Sequence, residues 1–294
     1  MLGVVNLDKP VGPTSHDMVG LLRRLTGTRR IGHAGTLDPL ASGVLPILVG
    51  AATRFSEELT GGRKRYDATI RLGARSATDD AEGPITPSEA TLPDPPSVHD
   101  ALAAFVGTFD QRPPAFSARK HGGQTAHRAA RAGAPLDLAA RTVTVDAIDV
   151  LDIARHDGGL DVRIDLQCGP GTYVRSIARD LGDRLGCGAY LAALRRTEAA
   201  GLRADDAVTA GRLEQLTAEG RLAEALLPVG DLLPLPRVEL DAEAARRFTH
   251  GSAVPSTGDR GRAAVFAGSA LLGVGRLDGG LLHPEKVLPA VGSA

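Results

Sequence analysis

Tryptophan is absent from this chain of 294 residues, and only 3% of its residues are aromatic. The core must therefore be built mainly from leucine, valine, isoleucine and alanine, and each tyrosine in a polar segment becomes more informative. The two cysteines, Cys168 and Cys187, lack the C-x-x-C spacing that is typical of zinc sites and redox pairs. This scarcity argues against a disulfide framework or a structural zinc, and we expect a reducing compartment, the cytoplasm.

Long apolar runs are missing as well. No segment approaches the roughly eighteen apolar residues that a membrane-spanning helix requires, and the first ten residues lack the basic start of a signal peptide. We therefore expect a protein without membrane attachment. The chain also has no P-loop motif, no Rossmann glycine pattern after a strand and no H-E-x-x-H, which argues against nucleotide hydrolysis, NAD chemistry and zinc proteolysis.

The composition is that of a globular protein, with 43% apolar and 23% charged residues. At roughly 150 residues per domain, the length predicts about two domains. The net charge of −1 hides an uneven distribution, because acidic residues are absent from 18–37 and from 111–136. Those two segments and 63–65 carry the basic residues Arg23, Arg24, Arg29, Arg30, Arg63, Lys64, Arg65, Arg112, Arg119, Lys120, Arg128 and Arg131. One such cluster alone would be solvated surface, but three favour a polyanionic partner.

The apolar pattern predicts two helices, at 15–24 with Ser15 as its cap and at 172–185 with Thr172 as its cap. Alternating residues predict a strand at 67–73 and a hairpin formed by 142–153 and 160–166. These elements together predict a mixed α/β (α+β) domain around a largely antiparallel sheet.

A second, smaller unit follows a proline-rich linker that contains Pro228, Pro234 and Pro236. Short alternating segments at 262–266, 271–276 and 281–282 are separated by glycine-containing turns. Fewer than 60 residues cannot bury a generous core on their own. We therefore expect a small β domain that docks on the larger one.

Asp38 is the most suggestive single residue. It precedes Pro39 in a glycine-rich loop, 32–43, and an apolar run follows at 44–49. A carboxylate held in this way at the end of a rigid element is positioned and not merely solvated. An isolated Asp-Pro pair, however, would be interpreted as a turn.

The segment 32–46, GHAGTLDPLASGVLP, resembles the TruB family of tRNA pseudouridine synthases. The resemblance continues, in order, through LDKPVGPTS at 7–15, GAATR at 50–54, KRY at 64–66, DDAEG at 79–83, GTYVRSI at 171–177 and LRR at 194–196. These motifs extend over nearly all of residues 1–200. The resemblance implies a pseudouridine-synthase fold for residues 1–235.

The resemblance also implies two RNA-binding parts. The acid-free segment at about 111–136 is similar to the thumb that closes over the T loop, although Phe116 and His127 stand where tyrosines are expected. Residues 237–294 resemble a PUA-type RNA-binding domain with a β-barrel-like form, on the basis of Gly273-Val274-Gly275 and the short strands. Lys120 in the thumb-like segment is then expected to contact the substrate.

The activity implied by the resemblance is the isomerisation of uridine to pseudouridine at position 55 in the T loop of tRNA. The N1–C1′ bond must break, the uracil must turn, and C5 must bond to C1′, so no metal or cofactor is required. Positive charge develops at C1′ and can be met by a carboxylate, as in glycosidases. Asp38 is the candidate, and attack at C1′, attack at C6 and abstraction of the 2′ proton all remain open.

The other site residues are assigned by the same resemblance. Arg175 is expected to orient Asp38, Tyr66 to stack on the uracil and Leu194 to pack against Tyr66. His33 is expected to fill the gap left by a flipped uridine. Asp80 and Tyr173 match positions near the substrate, and Lys9 is expected to support the fold.

Three functions follow as alternatives. The first is a stand-alone, monomeric enzyme that acts on the tRNA T stem-loop without guide RNA. The second is a non-catalytic RNA-binding or folding factor, with which the basic segments agree equally well. The third is a guide-RNA-dependent pseudouridine synthase, against which the thumb-like segment argues.

Overall fold

The computed structural model describes residues 1–116, 120–121, 124–125, 136, 138–156 and 158–289. The side chains at 120, 121, 124 and 125 lie outside this description, as do most of the thumb-like segment and the expected contacts of Lys120 and His127.

Strands dominate the described chain. In order they are β1 (Gly3–Lys9), β2 (Ile31–His33), β3 (Ala41–Val49), β4 (Lys64–Leu72), β5 (Ala74–Ser76), β6 (Ile85–Pro87), β7 (Gly107–Gln111), β8 (Lys120–His121), β9 (Gln124–Thr125), β10 (Arg141–His156), β11 (Gly159–Cys168), β12 (Ala189–Ala199), β13 (Leu202–Arg203), β14 (Val208–Thr209), β15 (Arg237–Glu239), β16 (Val254–Pro255), β17 (Gly261–Ala267), β18 (Ala270–Asp278) and β19 (Leu281–Val287).

The α-helices are short and lie between the strands. They are α1 (Ser15–Thr26), α2 (Ser56–Thr60), α3 (Pro95–Ala103), α4 (Val174–Arg184), α5 (Ala210–Ala218) and α6 (Ala242–Thr249). Short 3₁₀ turns occur at Gly50–Phe55, Ala204–Asp206, Leu222–Ala225 and Val229–Leu232.

Both predicted helix caps were wrong by one residue. Thr14 caps α1 through a reciprocal pair of bonds with Asp17, so Ser15 is the first helical residue. Tyr173 occupies the cap position of α4 without a side-chain cap bond. The Thr172 hydroxyl instead donates to the carbonyl of Gly169, 3.2 Å away, and so closes the preceding turn.

One large sheet organises residues 3–209. Its strand order is β14-β1-β3-β12-β4-β11-β10-β7, with β13 beside β12 and β2 beside β3. The pairs are antiparallel except β1 with β14 and β3 with β12, and the hairpin of β10 and β11 forms as predicted. The largely antiparallel α+β architecture is therefore confirmed.

Alternating side chains explain how this sheet carries both a core and a site. Along β4, Tyr66, Ala68, Ile70 and Leu72 are buried and pack into the main apolar cluster, while the intervening residues are partly exposed. Helix α4 covers the same face with Val174, Ile177, Ala178 and Leu181. The side chains of Arg175 and Tyr66 are consequently held by rigid elements.

The C-terminal residues form a second sheet with the order β15-β17-β18-β19-β16. The three predicted strands correspond to β17, β18 and β19. Phe248 of α6 is fully buried with Val254, Val265 and Leu282 in a separate apolar cluster. This curled sheet agrees with the predicted β-barrel-like, PUA-type fold.

A buried ion pair joins the second sheet to the first unit. The Glu58 carboxylate of α2 is only 2% exposed and accepts bonds from Arg262, at 2.5 Å, and from Lys286, at 2.9 Å. Burial alone would raise the pKa of Glu58, but the bonds from Lys286 and Arg262 outweigh it and lower that pKa. Apolar residues of both units, among them Phe55 and Phe266, share one cluster beside this pair.

Candidate active site

Two cavities meet at Asp38 and Arg175. The first, of about 290 Å³, is also lined by Tyr66, Tyr173 and Leu194. The second, of about 630 Å³, is also lined by His33, His16, Asp80, Glu82 and Phe116. Of the predicted site residues whose side chains are described, every one therefore lines one of these two cavities.

The loop that carries Asp38 is fixed by hydrogen bonds from Ser15 and Lys9. The Ser15 hydroxyl donates to the carbonyl of Leu37 and accepts from its N–H, each over 2.8 Å. The fully buried Lys9 donates to the carbonyls of Pro10 and Pro13 at 2.8 and 2.7 Å and lies 3.4 Å from that of Pro39. Burial lowers the pKa of Lys9. Lys9 thus supports the loop from within, as the sequence predicted.

Arg175 bridges two carboxylates. Its Nη2 lies 2.8 Å from Oδ2 of Asp38, and its Nη1 lies 3.2 Å from Oδ2 of Asp80. The Arg175 side chain is 7% exposed and that of Asp80 2%, whereas Asp38 is 38% exposed. The buried arginine therefore orients a carboxylate whose free edge remains accessible to a ligand.

The loop around Asp80 is equally constrained. Thr78 donates to Oδ1 of Asp80 over 2.5 Å, and the same oxygen accepts the N–H of Glu82 over 3.0 Å. Asp79 adopts a left-handed backbone conformation with φ of 61° and pairs with Arg179 at 3.1 Å. Burial raises the pKa of Glu82, and the nearby carboxylates of Asp80 and Asp38 raise it further.

Tyr66 and Leu194 lie on adjacent strands and face the smaller cavity. Tyr66 is 7% exposed, and burial raises its pKa, while the guanidinium of Arg196 acts in the opposite direction. Leu194 pairs with Ala68 across the ladder between β12 and β4 and packs beside the same apolar cluster. An aromatic ring and an aliphatic side chain are thus available to hold a planar base.

Tyr173 is held by its backbone. The buried Gln111 side chain accepts the Tyr173 N–H over 2.8 Å and donates to the Tyr173 carbonyl over 3.0 Å. Gln111 was not predicted as a site residue, although it begins the acid-free segment. Gln111 thus connects the start of the thumb-like segment to the N-terminus of α4, the helix that carries Arg175.

His33 lines the larger cavity at the end of β2. Burial lowers its pKa, and the positive charges of Arg196 and His16 lower it further. Its Nδ1 is buried and has no hydrogen-bond partner among the described residues. His33 is therefore favoured as a neutral ring, which costs less to move against a base than a charged one.

Two cations of the smaller cavity were not predicted. Lys64 lies two residues before Tyr66 on β4, and Arg196 lies two residues after Leu194 on β12. Because side chains alternate along a strand, residues two apart share a face. That period was the available signal, but Lys64 was interpreted only as part of a basic cluster that favours a polyanionic partner, and Arg196 only as part of the LRR motif.

The other two basic residues of segment 63–65 are engaged in ion pairs. Arg63 pairs with Asp146, and Arg65 pairs with Asp165 at 2.8 Å. This segment is consequently less available for phosphates than the sequence implied. Cys168 and Cys187 are both buried free thiols. Within the described ranges, no three His, Cys, Asp or Glu side chains come together as a metal site, and no helix there is long and apolar enough to cross a membrane.

Family models match the chain in three consecutive blocks. Residues 23–174 match the N-terminal domain of the TruB family pseudouridylate synthases. Residues 175–234 match the C-terminal domain of tRNA pseudouridylate synthase B. Residues 236–288 match the C-terminal model of pseudouridine synthase II TruB.

Curated relatives agree with these models. The protein named tRNA pseudouridine synthase B from Ralstonia nicotianae is 44% identical over 97% of this chain and 94% of its own length. The protein of the same name from Burkholderia mallei (strain NCTC 10247) is 43% identical over 97% of this chain and 96% of its own.

Solved structures share the fold. A chain in the crystal structure of a Cbf5-Nop10-Gar1 complex superposes with a TM-score of 0.74 at 28% identity, over 97% of this chain and 84% of that one. A chain in the structure of an H/ACA RNP bound to a substrate RNA containing 2′-deoxyuridine gives 0.74 at 26% identity, over 98% and 85%. With the Asp38–Arg175 pair at the meeting point of two cavities, these matches establish that the chain belongs to the TruB family of pseudouridine synthases.

Proposed function

We propose that this chain isomerises uridine to pseudouridine in tRNA, at position 55 of the T loop, without a cofactor. The observation that carries the proposal is the contact of 2.8 Å between Arg175 and a partly exposed Asp38 at the meeting point of two cavities. The names of the curated relatives support tRNA as the substrate.

Asp38 manages the chemistry at C1′. When the N1–C1′ bond breaks, positive charge develops on the ribose, and a carboxylate on its open face either attacks that carbon or stabilises the ion. Arg175 occupies the opposite edge of the carboxylate. Attack at C6 and abstraction of the 2′ proton by Asp38 are the other two routes consistent with this geometry.

Tyr66 and Leu194 retain the uracil after it is detached. A stacked aromatic side chain is worth about 1–3 kcal/mol per base, which holds the free ring long enough for it to turn. Tyr173 closes the same cavity from the N-terminus of α4. Asp80 positions Arg175 and does not contact the ribose, because its side chain is almost fully buried.

His33 opens the RNA. A T-loop uridine is stacked, and extruding it costs a few kcal/mol unless another group takes its place. His33 lines the larger cavity and Tyr66 the smaller one, and the two cavities share Asp38 and Arg175. A uridine that passes Asp38 into the smaller cavity would leave its former place in the stack beside His33.

We assign residues 1–235 to the catalytic domain, the segment at about 111–136 to a thumb over the T loop and residues 237–294 to a PUA-like RNA-binding domain. Lys120 contributes a phosphate contact within the thumb. The enzyme acts as a monomer in the cytoplasm and needs no guide RNA. Because phosphates provide much of the affinity, RNA binding should weaken steeply with added salt.

A guide-dependent enzyme is the second candidate, since the matching solved structures include an H/ACA RNP. The deciding experiment incubates the purified chain with an unmodified tRNA transcript and no other RNA, followed by mapping of pseudouridine. We expect modification at position 55 and none in a matched transcript that carries cytidine there. Binding without modification would instead indicate a non-catalytic factor or a missing guide.

A further inference from the structure

The cavity beside Tyr66 carries an excess of positive charge. Among the described residues that line it, Asp38 is the only carboxylate, whereas Lys64, Arg175 and Arg196 are cations. Arg175 is already shared between Asp38 and Asp80. Within this cavity, Lys64 and Arg196 therefore supply positive charge without a carboxylate of their own.

The hydrogen bonds of these two cations go mainly to backbone carbonyls, and Arg196 also bonds the Tyr66 side chain. Lys64 Nζ donates to the carbonyls of Thr60 and Gly62 at 2.8 and 2.7 Å. Arg196, 1% exposed, donates to the carbonyls of Val44 at 2.7 Å and Gly35 at 3.0 Å. Carbonyls satisfy N–H donors, but they leave the net charge in place, and burying such charge is costly.

Both side chains converge on one point of the catalytic loop. A Cβ placed on Gly35 would lie 3.4 Å from Nη1 of Arg196 and 3.7 Å from Cε of Lys64. Gly35 also has a φ of 98°, which other residues rarely adopt. The loop can therefore approach the two cations closely, and their charge acts at the end of the cavity between Gly35 and Tyr66.

We propose that the Lys64 ammonium, supported by the Arg196 guanidinium, stabilises the negative charge that the uracil ring acquires when its bond to the ribose breaks. This inference rests on the proposed function. The electron pair of the N1–C1′ bond remains on the ring and is shared by N1, O2 and O4. The Asp38 carboxylate interacts with the positive C1′, and the Lys64 ammonium interacts with the ring anion. When C5 then bonds to C1′, the C5 proton is released to water and N1 takes one up, so the product is an isomer.

The location favours uracil over a phosphate as the anion. Lys64 shares a strand face with Tyr66, and Arg196 shares one with Leu194, the two residues assigned to hold the base. Burial, together with the positive charge of Arg196, lowers the pKa of Lys64 to about 8. A cation already disfavoured by its buried surroundings gains strongly from an anion that forms beside it.

The test compares Lys64→Met and Lys64→Arg with the wild-type chain on two T-loop RNAs, one with uridine and one with 5-fluorouridine at the target position. Fluorine withdraws electrons and makes the base a better leaving group. Arg63→Met is the matched control, because Arg63 is a neighbour whose side chain is 71% exposed. C5 of 5-fluorouridine carries fluorine and has no proton to release, so the rate followed on both RNAs is that of breaking the N1–C1′ bond. It is measured in single turnover with saturating enzyme, and RNA affinity is measured separately.

We expect Lys64→Met to slow the breaking of the N1–C1′ bond by about 100-fold for uridine and by less than about 10-fold for 5-fluorouridine, with unchanged affinity. Lys64→Arg should recover most of the rate, and Arg63→Met should leave it unchanged. The ratio of the two rates comes from one protein sample, so a partly folded variant does not disturb it.

Equal reductions of the single-turnover rate on both RNAs would indicate that Lys64 has a structural role and would overturn the inference. A loss confined to affinity would overturn it in favour of a phosphate contact, and an unimpaired Lys64→Met would overturn it outright. In each of these cases the wild-type chain still forms pseudouridine. A wild-type chain that rearranges neither RNA contradicts the proposed function, and the inference with it.

Discussion

The guanidinium of Arg175 holds Asp38 through one terminal nitrogen, at 2.8 Å, and Asp80 through the other, at 3.2 Å. One cation therefore serves two carboxylates of very different exposure, because Asp38 is 38% exposed and Asp80 only 2%. The exposed carboxylate is free to react. The buried one fixes the arginine.

This arrangement predicts a graded response to substitution. Arg175→Met removes the partner of both carboxylates and should lower the single-turnover rate by more than about 100-fold, as expected when an orienting charged contact is lost. Asp80→Asn keeps the shape but weakens one contact, and should cost about 10-fold. Equal rates for the Asp80→Asn and wild-type chains in single turnover would contradict the positioning role.

The pH dependence of the reaction offers a separate prediction. If the Lys64 ammonium is required, the wild-type rate should fall as the pH rises through about 8, because burial lowers the pKa of Lys64 to that value. Of the neighbouring groups, Arg196 lines the same cavity, and burial raises the pKa of Tyr66 and takes that of Cys168 to about 11. Asp38 and Arg175 line the same cavity and pair with each other.

Lys64→Arg is the matched variant for this pH profile. Arginine stays protonated throughout the accessible pH range. The alkaline limb of the pH–rate profile of Lys64→Arg should therefore move to higher pH, while the acid limb stays in place. Single-turnover rates between pH 6 and roughly pH 10 measure both limbs. Superimposable profiles for the two proteins would show that another group sets the alkaline limb.

Glu58 is predicted to hold the C-terminal sheet in place. Glu58→Gln leaves Arg262 and Lys286 without their buried partner and should lower the free energy of unfolding by about 2 kcal/mol, less than a fully isolated pair because both cations keep other carboxylates. Glu57→Gln is the control, since the neighbouring Glu57 side chain is 86% exposed. This substitution should change the free energy of unfolding by less than about 0.5 kcal/mol.

The sign of the pH effect on this pair follows from the lowered pKa of Glu58. Its stabilisation is fully present above the ordinary value of 4.5 and is lost as the pH falls through the lower value in the folded protein. Denaturant unfolding of the wild-type and Glu58→Gln proteins should therefore converge in acid. A difference that persists unchanged below that range would contradict the ion pair.

Much of the site was predictable because its members lie in contiguous motifs. Asp38, Tyr66, Arg175 and Leu194 were identified from the sequence, and the fold brings them to one cavity. The pairing of Arg175 with Asp38 was also expected. The second contact of Arg175, with Asp80, depends on a loop almost 100 residues away in the sequence, and no local sequence pattern predicts a contact over such a separation.

The features that the sequence did not predict depend on which strands are neighbours and on which groups share hydrogen bonds. Lys64 and Arg196 meet only because β4 and β12 are adjacent, and their charges resemble those of surface residues until burial is known. The two cap assignments failed for a similar reason. The hydroxyl of Ser15 is engaged by Leu37, and that of Thr172 by Gly169, and neither contact is visible in a propensity pattern.

The most direct test of the central claim is the tritium released from a tRNA whose T-loop uridine is labelled at C5, measured with the wild-type and Asp38→Asn proteins. The substitution preserves shape and the contact with Arg175 but removes the charge that meets C1′. We expect full release with the wild-type chain, and no detectable release with Asp38→Asn despite unchanged tRNA affinity. Asp38→Asn protein that releases tritium at the wild-type rate would contradict the catalytic role of this carboxylate.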